Sequence, residues 1–333
     1  MRLLEASGSA REIGYAIGSA APELVRGAVE LVCRFDVQGA ELEARLDRIE
    51  RRLLETFPHA VEEAAGLAEG AGIGVREALS LSVCSDLSGR LPSYCSLGAF
   101  AGSDGLLVGK NLDSTEEMAP LQVLERLAPD GALAFLNVTT AGAMWTDGGV
   151  NEAGLALVNA SVAAGTPSDD GVPDGILARE LLMRCADVPA ALEFASRYDV
   201  MTLGENMLVA DARGRAAVIE KLPGGQAVRE RAPVAACNHV VTRALEERHY
   251  PGDPIRDDSL RRLELLSDAI DGNGPWTRQS IESLLGDPNR GLAASGAAGT
   301  WTIARYVISP RLRRLWLHQR SNDERSVDVL PPT

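Results

Sequence analysis

Apolar residues recur at three- and four-residue spacings through 21–35, 40–57 and 59–71, with charged residues between them, the period of helices that bury one face. Gly70-Ala71-Gly72-Ile73-Gly74 closes that run, and 75–84 opens one more short helix. From Cys95 the period shortens. Apolar and β-branched runs predict strands at 97–100, 106–108, 133–139, 155–162, 207–210, 216–220 and 234–237. Helical spacing returns at 175–186, 188–198, 259–270 and 277–285, before two last strands at 300–308 and 312–318. The strands come in adjacent hairpin-like sets and the helices in pairs, so the expectation is an α+β fold of antiparallel sheets covered by helices, without strict strand-helix alternation. The Pro and Gly positions near 165–175 and 251–256 read as long surface loops, and no internal repeat is present.

With 333 residues and 45% hydrophobic side chains the chain can bury one large core or two ordinary ones. Its 33 basic against 47 acidic residues give a formal net charge of -14, which repels phosphate backbones and anionic lipid surfaces. Neither nucleic acid nor membrane is therefore an expected partner. Glu5 interrupts the only apolar run near Met1, and no stretch reaches the ~18 uncharged apolar residues of a membrane span, which places the chain in the cytoplasm as an expectation. The five cysteines, at 33, 84, 95, 185 and 237, form no CxxC pair and read as separate thiols. The histidines at 59, 239, 249 and 318 form no pair on one helix face, so no metal is expected. Gly105 to Asn111 is one residue short of a phosphate loop and has Asn where Ser or Thr would hold magnesium, so no nucleotide cofactor is implied.

Candidate chemistry concentrates at Cys95. The segment from Cys95 to Asp113, eighteen residues on, reads as two strands joined by a turn at Gly102 to Gly105, and it brings a thiol and a carboxylate near each other. Before it, Gly89-Arg90-Leu91-Pro92-Ser93-Tyr94 suits a bent, exposed backbone that can present the Tyr94 carbonyl to the Cys95 thiol. A thiol so placed can form a thioester with the preceding carbonyl, and hydrolysis then frees the Cys95 α-amine. That amine, with a reference pKa near ~8, can take the thiol's own proton. An oxyanion needs positioned N–H donors, and Asn238, after the apolar run 234–237, and Asn159, interrupting the apolar run 155–162, are candidates; structural hydrogen bonds to backbone are the competing reading. Trp145 and Trp301 can line an apolar acyl pocket or simply pack in the core.

Together, Cys95-Ser96 opening a strand, Gly109-Lys110-Asn111-Leu112-Asp113, Gly149-Val150-Asn151-Glu152-Ala153-Gly154-Leu155 followed by Asn159, and Cys237-Asn238-His239 resemble the isopenicillin N acyltransferase family of N-terminal-nucleophile hydrolases. Upstream, Glu12 to Gly18 and Glu63 to Gly70 fit that family's propeptide region. The resemblance implies a four-layer αββα sandwich, with 1–94 as a mainly helical propeptide and 95–333 as one catalytic domain. It also implies self-cleavage between Tyr94 and Cys95, with Asp113 orienting the amine or thiol. Lys110 falls where bile-salt-hydrolase relatives carry an arginine and is a candidate for the substrate's acyl oxygen; a solvent-exposed strand-end lysine is the alternative. Two departures stand out: Tyr94 where the family usually has a small residue, and no alignable late arginine, Arg305 being nearest.

The activity implied is acyl transfer from a small-molecule amide or acyl thioester, through a Cys95 thioester, to water or an amine. A coenzyme A thioester enters only as a substrate, no cofactor is required, and homo-oligomerisation is left open. Two alternatives stay beside this reading: an uncleaved enzyme in which His239 serves Cys95 as base, and a catalytically silent αββα binding module.

Overall fold

The computed structural model describes residues 1–34, 39–88, 94–164, 166–168, 170–272, 274–287, 290–296, 299–319 and 324–329. In chain order the strands are β1 (Arg2–Gly8), β2 (Tyr94–Gly102), β3 (Gly105–Ser114), β4 (Gln122–Pro129), β5 (Phe135–Thr140), β6 (Gly148–Asn151) and β7 (Ala156–Val162). They continue as β8 (Gly204–Ala210), β9 (Ala216–Leu222), β10 (Gly225–Glu230), β11 (Val234–Ala236), β12 (Trp301–Ser309), β13 (Arg314–Gln319) and β14 (Glu324–Asp328). The helices are α1 (Ala10–Ala20), α2 (Pro22–Val32), α3 (Ala40–Thr56), α4 (Pro58–Ala71), α5 (Val75–Ser82) and α6 (Cys84–Ser88), then α7 (Asp174–Arg184), α8 (Val188–Ser196), α9 (Arg256–Gly272) and α10 (Arg278–Gly286).

Eight strands form one sheet, in the order β1-β4-β5-β6-β7-β8-β9-β10, and six form the other, in the order β11-β2-β3-β12-β13-β14. All neighbours are antiparallel except β1 and β4, which run parallel from Arg2 opposite Val123 to Gly8 opposite Pro129. The period-2 alternation of each strand sorts its side chains between two cores. On β8, Leu208 and Ala210 face the second sheet, in a core shared with Leu97, Val108, Leu136 and Ile308. Met207 and Val209 face the other way, into a core with Ile13, Leu53, Leu67 and Leu181 of α1, α3, α4 and α7. A third core, with Phe100, Leu266, Ile281 and Val307, fills the space between the six-stranded sheet and α9 and α10. The layers therefore run helix, sheet, sheet, helix, the αββα sandwich expected.

The described residues ahead of β2 are built into this frame. Ser9 caps α1 by accepting from the Glu12 backbone N–H, and the Glu12 carboxylate accepts from the Ser9 N–H in return. α1 and α4 then pack backbone to backbone through glycines. A Cβ on Gly14 would lie 2.0 Å from the Glu63 carbonyl oxygen, and one on Gly66 would lie 2.0 Å from that of Arg11. The motifs read as propeptide signatures thus carry a packing requirement: only glycine lets these helices approach so closely. Below them, Arg179 of α7 donates from both terminal nitrogens to the Glu63 carboxylate of α4, at 2.8 and 2.9 Å, with both side chains buried.

The predicted helices and strands are present with ends moved by a few residues. Not expected were β1, α1, α6, β4, β6, β10 and β14, nor the one parallel pairing. The expected bend before Cys95 lies outside the described residues for 89–93, and Tyr94 is the first residue of β2.

Gly66→Ala should lower stability by at least about 1–3 kcal/mol through overpacking. Gly272→Ala, where a Cβ would meet nothing within 4 Å, is the comparison. Thermal unfolding of the two variants checks this, and equal midpoints would refute the close-packing argument.

Candidate active site

The β2–β3 hairpin turns at Gly102 to Gly105, where Gly105 has φ +117, and its register sets Cys95 opposite Leu112, Leu97 opposite Lys110, and Tyr94 opposite Asp113. Alternation then divides the candidates between two faces. Cys95, Lys110 and Leu112 face the other sheet, whereas Ser96, Asn111 and Asp113 face α9 and α10. Asp113 therefore lies toward the backbone side of Cys95, away from the face its thiol occupies.

Asn238 follows β11, and the Cys237 and His239 carbonyls on either side of it accept from the Asn206 side chain of β8 at 2.7 and 2.8 Å. So positioned, Asn238 accepts at Oδ1 from the Cys95 backbone N–H at 2.8 Å and donates from Nδ2 to the Ser161 carbonyl at 2.9 Å. A residue that the sequence reading missed completes this arrangement. Arg262 of α9, buried, donates to the Cys95 carbonyl at 2.5 Å, Ser96 Oγ at 3.1 Å, Asn238 Oδ1 at 3.0 Å and Asp258 Oδ2 at 2.7 Å. Arg305 lies elsewhere, donating to the Glu282 carbonyl of α10 at 2.9 Å.

Asp113 is buried and accepts from Thr302 Oγ1 at 2.5 Å. Burial raises its pKa to about 6 against the opposing pull of Thr302 and the Arg262 guanidinium. His239 is also buried, with Nδ1 2.6 Å from Ser259 Oγ, the same hydroxyl that accepts from the Asn238 N–H at 2.8 Å. Burial, reinforced by the nearby Arg256 charge, lowers the His239 pKa to about 4 and keeps the ring neutral at pH 7.

On the thiol face, Lys110 is fully buried, not exposed at a strand end. Its ammonium donates to the Asp147 carbonyl at 2.6 Å and to Asn159 Oδ1 at 3.0 Å. Both N–H groups of the Asn159 amide are engaged, with the Thr146 carbonyl and with Glu205 Oε1, each at 2.6 Å. A cavity opens here, walled by Leu112, Trp145, Asp147, Asn159, Asp174 and Glu205, and closed on one side by Ser82, Cys84 and Ser85 at the α5–α6 junction. The empty volume of this cleft, counting its mouth, is about 640 Å³. Trp301, by contrast, opens β12 and packs against the inter-sheet core. Among the described residues, no three or more His, Cys, Asp or Glu side chains converge as a metal-binding group. Nor, among them, is any helix long and apolar enough to cross a membrane.

The profile of the acyl-coenzyme A:6-aminopenicillanic acid acyl-transferase family matches residues 100–324, about two thirds of the chain. The chain belongs to this family. It is accordingly an acyl-transferring or amide-hydrolysing enzyme of the N-terminal-nucleophile type. No curated protein matches it. A variant of the conjugated bile acid hydrolase from Clostridium perfringens is similar at TM-score 0.51 and 15% identity, over 70% of this chain and 92% of that one, a likeness of fold. The Caenorhabditis elegans ortholog of N-acylethanolamine-hydrolyzing acid amidase reaches TM-score 0.48 at 16% identity, over 66% and 93% of the two chains. Penicillin V acylase from Agrobacterium tumefaciens reaches 0.43 at 12%, over 70% and 86%.

The raised pKa of Asp113 fixes a sign for pH dependence. Below its ordinary value of 3.8 the carboxyl is protonated whether folded or not; between 3.8 and about 6 only the folded chain keeps the proton, so stability falls as pH rises. The slope is up to about 1.4 kcal/mol per pH unit from this one group. Asp113→Asn should therefore gain stability relative to the parent between pH 4 and 6, read from denaturant midpoints. Parallel curves across that range would contradict the assignment.

Proposed function

We propose that the chain is a self-cleaving cysteine amidohydrolase or acyltransferase whose nucleophile is the Cys95 thiol. The observation that carries this reading is the grip on the Cys95 backbone nitrogen: Asn238 Oδ1 accepts from it at 2.8 Å, while Arg262 holds the carbonyl of the same residue. The residue whose nitrogen scission would turn into an α-amine is thus held by side chains from two distant segments, Asn238 on the nitrogen and Arg262 on the carbonyl, before any bond is cut.

In the maturation step the Cys95 sulfur bonds to the Tyr94 carbonyl carbon, the carbon–nitrogen bond to Cys95 breaks, and that nitrogen takes up the proton. Water then hydrolyses the thioester, leaving the Tyr94 carboxylate, a free thiol and a free amine. In turnover the amine, with an ordinary pKa near ~8, accepts the thiol proton as the sulfur attacks the substrate carbonyl, and returns it to the leaving group. Asn238 Oδ1 and Asp113 orient the amine from the α9 side. The Asn238 amide and the Lys110 ammonium are the donors toward the developing oxyanion. Asn159, with both N–H groups engaged, serves to hold Lys110 and Glu205 in position. The donor is a small-molecule amide or acyl thioester and the acceptor water or an amine.

Residues 1–94 stay attached after scission in this reading, because β1 is an edge strand of the larger sheet and α4 is tied to α7 by the Glu63–Arg179 pair. A Cys95/His239 dyad is less well supported. The His239 ring is bonded to Ser259, and a pKa of about 4 makes it a weak base.

Denaturing electrophoresis and N-terminal sequencing of the purified protein should give a fragment beginning at Cys95. That fragment should be labelled by an electrophilic acyl probe, and Cys95→Ala should abolish both splitting and labelling. Fully active protein that remains joined at Tyr94–Cys95 would refute the proposal. Asn238→Ala in processed material should lower kcat/KM by about 10²–10³.

A further inference from the structure

The cavity, which reaches Cys95 through its cross-strand partner Leu112, carries an imbalance of charge that the reaction itself does not explain. Asp174 and Glu205 line it with Asp147, and Asp86 of α6 lies close enough to add to their mutual repulsion. Among the described residues, the cation facing this group is Lys110, whose ammonium is already engaged by Asp147 and Asn159. Glu205 is 4% exposed; its Oε1 accepts from Asn159, and its Oε2 is buried without a hydrogen-bond partner among the described residues. A carboxylate oxygen in that condition costs stability unless a proton or a cation reaches it. Burial and the neighbouring Asp174 raise the pKa of Glu205 well above the usual carboxylate range, and burial alone brings Asp174 to about 6. The same side chains do not converge as a metal-binding group among the described residues, which favours an organic cation over an ion.

We infer that the acyl substrate carries a cationic head group, an ammonium or a group of like charge, which Glu205 and Asp174 receive in this cavity. The inference rests on the function proposed above, and it deepens that reading by naming the substrate class. Placement on the acyl side follows from the order of events: the leaving amine must depart before water or a second amine can attack, whereas the acyl group stays bonded to sulfur. The group held in the buried cavity is therefore the acyl group. A cleft of about 640 Å³ counting its mouth has room for a small polar head group in place of water.

Two measurements on the purified, full-length protein test this. The first compares kcat/KM for p-nitroanilides of ω-aminoacyl, plain acyl and ω-carboxyacyl groups at each chain length from propanoyl to hexanoyl. At the best length the ω-amino compound should exceed the plain one by about tenfold or more, as expected for a charge-assisted contact. Glu205→Gln should bring that ratio close to unity, whatever it does to the absolute rate. A plain or ω-carboxy series that performs as well as the ω-amino series overturns the inference while leaving the proposed function standing.

The second measurement needs no turnover: calorimetric titration with n-butylammonium, n-butanol and butyrate. The ammonium should bind at least about tenfold more tightly than the other two, with proton release, and Glu205→Gln should remove that advantage. Equal affinities, or no binding by any of the three, overturn the inference. If no acyl anilide is turned over and none labels Cys95, the proposed function fails, and the titration still decides the question of the cationic site.

Discussion

A buried guanidinium organises the site. Arg262 enters from α9 and is surrounded by acceptors from three separate parts of the chain: the start of β2, Asn238 two residues past β11, and its own helix one turn earlier. A charge taken out of water is tolerated only where every donor finds an acceptor, and the planar fork of arginine fits four of them at once, as a lysine could not. Because Asn238 Oδ1 accepts from both Arg262 and the Cys95 nitrogen, the orientation of that amide is fixed by the same charge. Loss of the guanidinium would release the strand, the amide and the helix together.

Cys95 lies between two electrostatic neighbourhoods. On the α9 side one guanidinium, Arg262, is shared between backbone groups, the Asp258 carboxylate and the nearby Asp113. On the cavity side, among the described residues, carboxyl groups outnumber the ammonium of Lys110. The hairpin separates the two by the thickness of its own backbone, which is why residues as near in sequence as Lys110 and Asp113 have unlike surroundings. One neighbourhood holds the main chain of Cys95; the other lies on the face its side chain occupies.

Much of this was legible in the residues. The change from helical to strand period at Cys95, the spacing to Asp113, and the isolated asparagines in apolar runs pointed to segments that the fold brings together around Cys95. Arg262 was not legible, since an arginine beside Arg261 in an amphipathic helix has the appearance of a solvated position; only packing reveals that it turns inward. Glu205 begins an apolar strand where a single charge passes for a strand end, and Ser259 and Asn206 act through bonds to backbone that no spacing encodes. β1 was missed because Arg2 and Glu5 break its apolar alternation, and its pairing with β4 joins segments more than a hundred residues apart. The glycines of α1 and α4 were recognised as a signature, but their reason lies in the approach of two backbones.

That approach has a consequence for the life of the molecule. A chain cut ahead of Cys95 would keep its two pieces interlocked through β1, α1 and α4, so the nick would leave the folded form almost unaltered while changing the reverse path. Before the cut, a denatured molecule can regain its shape alone. Afterwards recovery requires an encounter between separate polypeptides and so depends on concentration. Such a cut would act as a ratchet: the folded form would be easy to keep and hard to remake.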